Sequence, residues 1–459
     1  MKIIRTILCR KIEILIVSLC VLVIQLNFAQ SNTHINTMEI ENNIDSLIMP
    51  LVNEGLLSGS ILIAIRGNIL FAKGYGLSDR ENNISNTQET IFRISSITKT
   101  ITALSIMQLQ ENDKLNINDR LNKYLHDFPN GDKITIYHLL THTSGIPSYN
   151  WQRSENRSQE LDTVICWIKE LKLQSDPGEE FMYSNSGYAL LTLIIEKVSG
   201  MKYEDYIKEN IFIPCDMTNT GLYSMNNPPG NIAIGYGKVD YNGFKKVFRP
   251  CPLAKGDGDL YSTVKDLYKF IMAFNNDKLI SVESRRQMLD TYKANCALGW
   301  FIEKMHGERL IYHDGGELGY MSNMMSFNDN ELLVIYLFNS DFLLSHIVEQ
   351  QLASIALRKP WQPLFKKNNE SAINSFKTFE GEYIMDESSS FIISVEKGHI
   401  YFQETGQPKC TAYLFDENYI YIKEINSRIR FEQSKEGTIK YTAFFGLFLV
   451  SGERNTTKQ

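Results

Sequence analysis

Strand-forming residues bracket a long helical stretch in this chain, and that arrangement limits the folds open to it more than any other feature. Ser60 to Arg66 and Ile69 to Gly74 flank a Gly67-Asn68 turn, which predicts a hairpin. Strand signals return at Ala297 to Glu303, Leu310 to His313, Gly319 to Phe327 and Glu331 to Phe338, with Asn328-Asp329-Asn330 as the last turn. Between them the pattern is mainly helical, with loops around Pro147, Pro177 and Pro228-Pro229. Ile40, Ile44, Ile48 and Leu51 predict a helix ahead of the hairpin, ending near Gly55. Leu344, Ile347, Leu352 and Ile355 predict another after the last strand. Strands placed this way share a core most simply as one largely antiparallel sheet, flanked by helices and interrupted by a helical insertion. The expectation is an α+β domain over residues 38–358.

Lys359-Pro360 through Asn374 is polar and proline-bearing and reads as a linker, here bounded at 359–375. Beyond it, apolar residues alternate at Phe391, Ile393, Ile400, Phe402, Tyr419 and Tyr421 between turns at Lys397-Gly398 and Asp416-Glu417-Asn418. That predicts a small all-β barrel or sandwich over residues 376–459.

The first residues read as a targeting signal. Lys2, Arg5, Arg10 and Lys11 precede an apolar run from Ile14 to about Phe28, and Ala29-Gln30 offers a cleavage point. The run is short for a membrane span and contains Gln25, so residues 1–29 are expected to be a cleaved export signal, leaving a periplasmic or secreted protein. A lipid on Cys20 is the alternative, disfavoured by the bulky Leu19 before it. Four of the 47 basic residues and one of the 53 acidic ones lie in this segment, leaving 43 against 52, a formal charge of −9. Such a balance speaks against nucleic acid and anionic membrane surfaces as partners. The five remaining cysteines, Cys166, Cys215, Cys251, Cys296 and Cys410, are odd in number and widely spaced. Neither a disulfide framework nor a zinc site is expected; they read as small buried hydrophobes. No cofactor or metal is implied, since the chain has no His-Glu-x-x-His and no phosphate-binding P-loop, and Gly256-Asp257-Gly258 is too short to signal a nucleotide.

The chemistry concentrates at Ser95-Ser96-Ile97-Thr98-Lys99-Thr100, which enters a run with Ile97, Ile101, Leu104 and Met107 at helical spacing. Ser96 and Lys99 then share one helix face. A serine hydroxyl becomes a useful nucleophile only when a neighbouring base takes its proton, and a buried lysine can be that base. Ser-x-x-Lys alone decides nothing, because it also begins at Ser199, Ser262 and Ser394, where a capping serine and a solvated lysine explain it. Two further motifs separate Ser96 from the rest. Tyr183-Ser184-Asn185 is the only Tyr-x-Asn of the chain and His313-Asp314-Gly315 the only His-x-Gly. Taken singly, Tyr183 reads as core and His313 as a satisfied strand-end histidine.

In the order Ser-x-x-Lys, Tyr-x-Asn, His-x-Gly, the three motifs resemble the penicillin-recognising serine hydrolases, in the branch of class C β-lactamases and low-molecular-weight penicillin-binding proteins. The flanks extend the resemblance: His138 through Ile146, Pro177-Gly178 with Tyr183 through Tyr188, and Gly258 through Thr263 with Asp266-Leu267. It covers residues 40 to 357 and implies a β-lactamase/transpeptidase-like fold. It further implies that Ser96 forms an acyl-enzyme while Lys99 and Tyr183 share its proton. Asn185 would hold an acylamido side chain, and His313 and Gly315 would line the substrate. The N–H groups of Ser96 and Gly316 would form the oxyanion hole. His142 reads as structural, fixing the Thr141-to-Gly145 loop. Two departures stand out. Asp314 takes a position where a small hydroxyl residue is common, and strand alternation should turn it away from the site. Gly316 stands where β-lactam-hydrolysing relatives often carry Ser or Thr.

The implied function is an exported serine hydrolase acting on an amide or ester: a D-peptide, a peptidoglycan stem or a small ester, with weak β-lactam hydrolysis. Its partners would be small-molecule or peptide substrates, cell-wall peptides among them. The alternative is a penicillin-binding-type sensor or scaffold that acylates without efficient turnover.

Overall fold

The hairpin and the distant strands do meet. In a computed structural model describing residues 37–149, 161–224, 227–240, 243–247, 255–328, 331–341, 345–364, 370–386, 389–445 and 448–455, the main elements of the first domain are as follows. Helix α1 (Thr37–Asn53) leads into strands β1 (Gly59–Ile65) and β2 (Asn68–Tyr75). The insertion carries α2 (Thr98–Glu111), α3 (Asn185–Ser199) and α4 (Val264–Asn275). Strands β3 (Phe301–Met305), β4 (Glu308–Glu317), β5 (Tyr320–Phe327) and β6 (Leu332–Phe338) follow, then α5 (Ser345–Ala356). The sheet runs β3-β4-β5-β6-β1-β2, antiparallel throughout. The export segment and Cys251 lie outside the described residues, as do parts of the 328–330 turn and the start of the last helix at Leu344.

The chain divides after Asn43; the described part of the first unit, Thr37–Asn43, is the opening of α1, and everything from Ile44 on forms one unit. Strands β1 and β6 are buried along nearly their whole length, because helices cover the sheet on two faces. Leu62, Ala64, Leu333, Ile335 and Leu337 join the core that α2, α3 and α4 supply through residues such as Ile101, Leu104, Leu191, Ile195 and Phe270. The alternating residue Tyr336 faces the other way and donates to Glu349 of α5 at 3.1 Å.

Several expectations need correction. Ala297 to Trp300 is not strand: Gly299 adopts φ +79°, and a Cβ there would lie 2.5 Å from that of Ala103, so this stretch is pressed onto α2. Strand β4 is longer than Leu310 to His313 and runs through both glycines to Glu317. Ser262 does not cap α4; Thr263 does, accepting the Asp266 N–H at 3.1 Å. Cys166 is exposed, whereas Cys215, Cys296 and Cys410 are buried.

The C-terminal domain is an eight-stranded meander in sequence order: β7 (Gly381–Ile384), β8 (Ser390–Glu396), β9 (His399–Glu404), β10 (Cys410–Asp416), β11 (Tyr419–Ile422), β12 (Ser427–Gln433), β13 (Ile439–Phe445) and β14 (Phe448–Glu453). A Tyr383–Arg454 bridge and an Asn455 N–H donated to the Glu382 carbonyl at 2.7 Å bring the two ends together, so the sheet closes toward a barrel. Side chains fill its interior, among them Phe391, Phe402, Ile420, Phe431 and Tyr441. The segment read as a linker is in part structure: α6 (Glu370–Phe376) buries Phe376 among those residues. The barrel meets the first domain through polar contacts. Tyr413 donates to Glu54 at 2.9 Å, Lys423 pairs with Glu54 at 3.3 Å, and Asn426 donates to the Asp341 carbonyl at 2.9 Å.

Candidate active site

Ser96 sits in a 3-10 turn, Ser95–Ile97, that feeds directly into α2. The turn is anchored on both sides. Ile94 donates its N–H to the Leu260 carbonyl at 3.0 Å, and its own carbonyl accepts the Ser322 hydroxyl of β5 at 3.0 Å. Ser95 is left-handed (φ 47°), a conformation that a serine keeps only where its surroundings impose it. Gly315 explains how β4 comes so close. A Cβ there would lie 2.3 Å from the Ile94 carbonyl oxygen, 2.4 Å from Ser322 Oγ and 3.1 Å from Ser96 N. Glycine is therefore required for the strand to lie against the nucleophile turn. This makes Gly315 a residue of close approach, where the sequence suggested substrate contact.

Lys99, in the first turn of α2, is fully buried. Its Nζ lies 3.1 Å from Ser96 Oγ and also donates to the main-chain carbonyl of Asp257. The rings of Tyr183 and Tyr188 flank it, their centroids 4.9 and 5.6 Å from Nζ. The Asp257 carbonyl belongs to a tight loop, 255–259. Asp259 Oδ1 accepts the Gly256 N–H at 2.9 Å, Thr102 of α2 donates to the Gly256 carbonyl at 2.7 Å, and Tyr149 donates to Asp257 Oδ2 at 2.7 Å. Burial pushes Asp259 up to about 7, opposed by the Gly256 N–H and reinforced by the neighbouring Asp257 carboxylate.

Tyr183 and Asn185 flank Ser184, the N-cap of α3, whose hydroxyl accepts the Gly187 N–H at 3.3 Å. Tyr183 is 36% exposed, and among the described residues no hydrogen bond joins its hydroxyl to Ser96 or Lys99. Contacts of this kind commonly tighten only when substrate binds. Asn185 Oδ1 is buried with no partner among the described residues, an acceptor in want of an N–H donor. His142 is buried, and its Nδ1 accepts the Ser184 N–H at 3.0 Å, so the ring proton sits on Nε2. Burial, with Lys99 and His313 nearby, holds it well below the usual histidine range.

His313 lies in the floor of the site, 1% exposed, with Nδ1 2.7 Å from the Asp314 carbonyl. Burial, only partly offset by Asp314 and reinforced by Lys99, pushes it down to about 4. The imidazole is therefore neutral at pH 7. A carbonyl can only accept, so Nδ1 carries the proton and Nε2 is an acceptor. Asp314 is exposed, and Gly316, two residues on, shares its face of β4, opposite the buried His313, Gly315 and Glu317. Glu317 pairs with Arg93 at 2.7 Å, both buried. Strand β3 pairs only with Glu308 to Tyr312 of β4, so His313 to Glu317 has β5 on one side and no strand on the other among the described residues. This bare edge, which includes Gly316, runs past Ser96. It is the natural seat for an extended substrate backbone. A 610 Å³ cavity lined by Glu204, Phe212, Ile213 and Tyr261 includes none of these catalytic side chains.

Of the residues that sequence reasoning named, Ser96, Lys99, Tyr183, Asn185, His313, Gly315 and Gly316, the structure brings Lys99 Nζ to Ser96 Oγ and under the Tyr183 ring, and Gly315 against the Ser96 turn. Sequence reasoning missed the Asp257 carbonyl and Ser322, the first because a main-chain acceptor leaves no mark in residue type.

The family model described as Beta-lactamase matches residues 44–355. A penicillin-binding protein of Bacillus subtilis (strain 168) is 27% identical over 434 residues, covering 88% of this chain and 96% of that protein, so the likeness extends into the C-terminal domain. The putative penicillin-binding protein PbpX of the same strain is 34% identical over 287 residues, covering 62% of this chain and 70% of its own. Among solved structures, the octameric penicillin-binding protein homologue from Pyrococcus abyssi superposes with a TM-score of 0.67 at 26% identity, over 89% of this chain and 99% of that one.

Proposed function

Because this chain belongs to the Beta-lactamase family and is a serine hydrolase, we propose that it is exported and cleaves small amides or esters through an acyl-enzyme, favouring substrates without a carboxylate beside the scissile bond. The observation that carries this reading is the 3.1 Å approach of the fully buried Lys99 amine to Ser96 Oγ, beside a bare strand edge. Ser96 Oγ attacks the carbonyl carbon as its proton passes to Lys99. The tetrahedral oxyanion rests between the N–H groups of Ser96 and Gly316. Tyr183 delivers a proton to the leaving group, and water then attacks the acyl-enzyme and releases Ser96. Asn185, with its vacant acceptor, suits the N–H of an N-acylated D-amino acid amide or ester. Export rests on the basic and apolar run over residues 1–29, and N-terminal sequencing of the mature protein near Gln30 tests it.

The preference for uncharged substrates rests on His313 and Gly316. A β-lactam carboxylate needs a cation or hydroxyl beside the third motif. Here the neutral imidazole offers an acceptor, and Gly316 has only its backbone N–H. A hydrogen bond to a charged group contributes about 1.5–3 kcal/mol, or roughly ten- to a hundredfold in rate. A serine fits at 316, since the nearest atom to an added Cβ is Met321 Sδ at 3.5 Å. Gly316→Ser should raise kcat/KM for nitrocefin by that factor and leave p-nitrophenyl ester hydrolysis nearly unchanged, with Ser96→Ala as the blank. Wild-type nitrocefin turnover near the diffusion limit would refute the preference.

A further inference from the structure

His142 makes three contacts that converge on one neighbour. Its carbonyl accepts the Met182 N–H at 2.8 Å and its Nδ1 accepts the Ser184 N–H at 3.0 Å, so the residues on both sides of Tyr183 are tied to a single residue. Its ring also stacks on the Tyr183 ring, with centroids 4.3 Å apart and planes 28° from parallel. The imidazole is itself held in place. It packs on Tyr188 at 5.1 Å and edge-on to Phe181 at 6.0 Å, and the Tyr188 hydroxyl is fixed to the Leu140 carbonyl at 3.0 Å. Its backbone is left-handed (φ 56°), a conformation kept only where the surroundings demand it.

We propose that His142 is the positioning residue for Tyr183, clamping the phenol by two backbone hydrogen bonds and a ring stack so that its hydroxyl is aimed at the leaving group; the proposal rests on the acyl-enzyme reading. Tyr183 is partly exposed, so its aim depends on the contacts of its buried side. Proton delivery tolerates little error, and a displacement of about 1 Å can lower a rate roughly a hundredfold. The clamp should matter most where the leaving group needs a proton. An amide must release an amine and so depends on Tyr183, whereas a nitrophenolate leaves without one.

The test compares hydrolysis of D-alanyl p-nitroanilide with that of p-nitrophenyl acetate. His142→Asn keeps an acceptor and tolerates the left-handed backbone but removes the ring; His142→Phe keeps a ring and removes the acceptor. Either should lower the anilide-to-ester ratio of kcat/KM by roughly tenfold or more, at unchanged ester KM. In a Tyr183→Phe background the same substitutions should change that ratio by less than about threefold, because the group they aim is gone. An unchanged ratio, or an effect as large in the Tyr183→Phe background, overturns the proposal. If the wild type acylates neither substrate, the hydrolase reading fails. The clamp is then judged on 3-fluorotyrosine at position 183, whose 19F resonance should shift and broaden in His142→Asn and His142→Phe. A resonance unmoved in both refutes it.

Discussion

Asp259 offers a perturbation whose size follows from its surroundings. Its carboxyl is buried, tied to the Gly256 N–H, and pushed up to about 7 from an ordinary 3.8. Below about pH 4 it is protonated in the folded and unfolded chain alike. Between 4 and 7 the unfolded chain gives up this proton while the folded chain keeps it, so stability falls as pH rises, and above 7 the loss is complete. A displacement of that extent corresponds to about 4 kcal/mol at full ionisation. Asp259→Asn keeps an oxygen for the Gly256 N–H and cannot ionise. It should match wild type at pH 4 and exceed it by several kcal/mol at pH 8. The four tryptophans, at 151, 167, 300 and 361, all precede the barrel, so their fluorescence in urea follows the hydrolase domain. The variant-minus-wild-type difference removes other titrating groups, such as Glu349, which burial also pushes to about 7. A difference that does not grow between pH 4 and 8 would falsify the assignment.

Lys99→Met should leave the melting temperature near that of wild type and reduce acylation by several orders of magnitude, read by fluorophosphonate labelling; near-normal labelling would mean another base serves Ser96. Glu317→Ala removes the buried carboxylate that pairs with Arg93 and should destabilise the hydrolase domain by about 3–5 kcal/mol in urea melts, with a loss below 1 kcal/mol counting against a dry ion pair. Phe376→Ala should lower barrel stability by about 3–5 kcal/mol, followed by near-UV tyrosine dichroism, while labelling of Ser96 stays unchanged. Equal loss in both domains would show that α6 belongs to both.

The site was legible in sequence where side chains do the work. Ser96, Lys99, Tyr183 and Asn185 lie in short motifs on helix starts, and local spacing conveys that geometry. What stayed hidden is carried by backbone and by close approach. The Asp257 carbonyl is invisible to residue type. The run of β4 through Gly315-Gly316 was missed because glycine weakens a strand signal, although here it is what lets the strand reach Ser96. Likewise Ile373 and Phe376 gave too short an apolar pattern to mark α6 within a polar stretch, and only the barrel core that Phe376 enters reveals the helix's purpose.

The bare half of β4 also bears on solubility. A row of unpaired peptide groups invites any extended chain, including the same strand of a second molecule. The exposed side chain of Asp314 places a carboxylate beside this edge. Asp314 should then work as a gatekeeper, opposing the pairing of this edge with its copy in a second molecule. Asp314→Val should leave Ser96 labelling intact in dilute solution and shift light scattering toward oligomers as concentration rises; a strictly monomeric variant would assign that protection elsewhere.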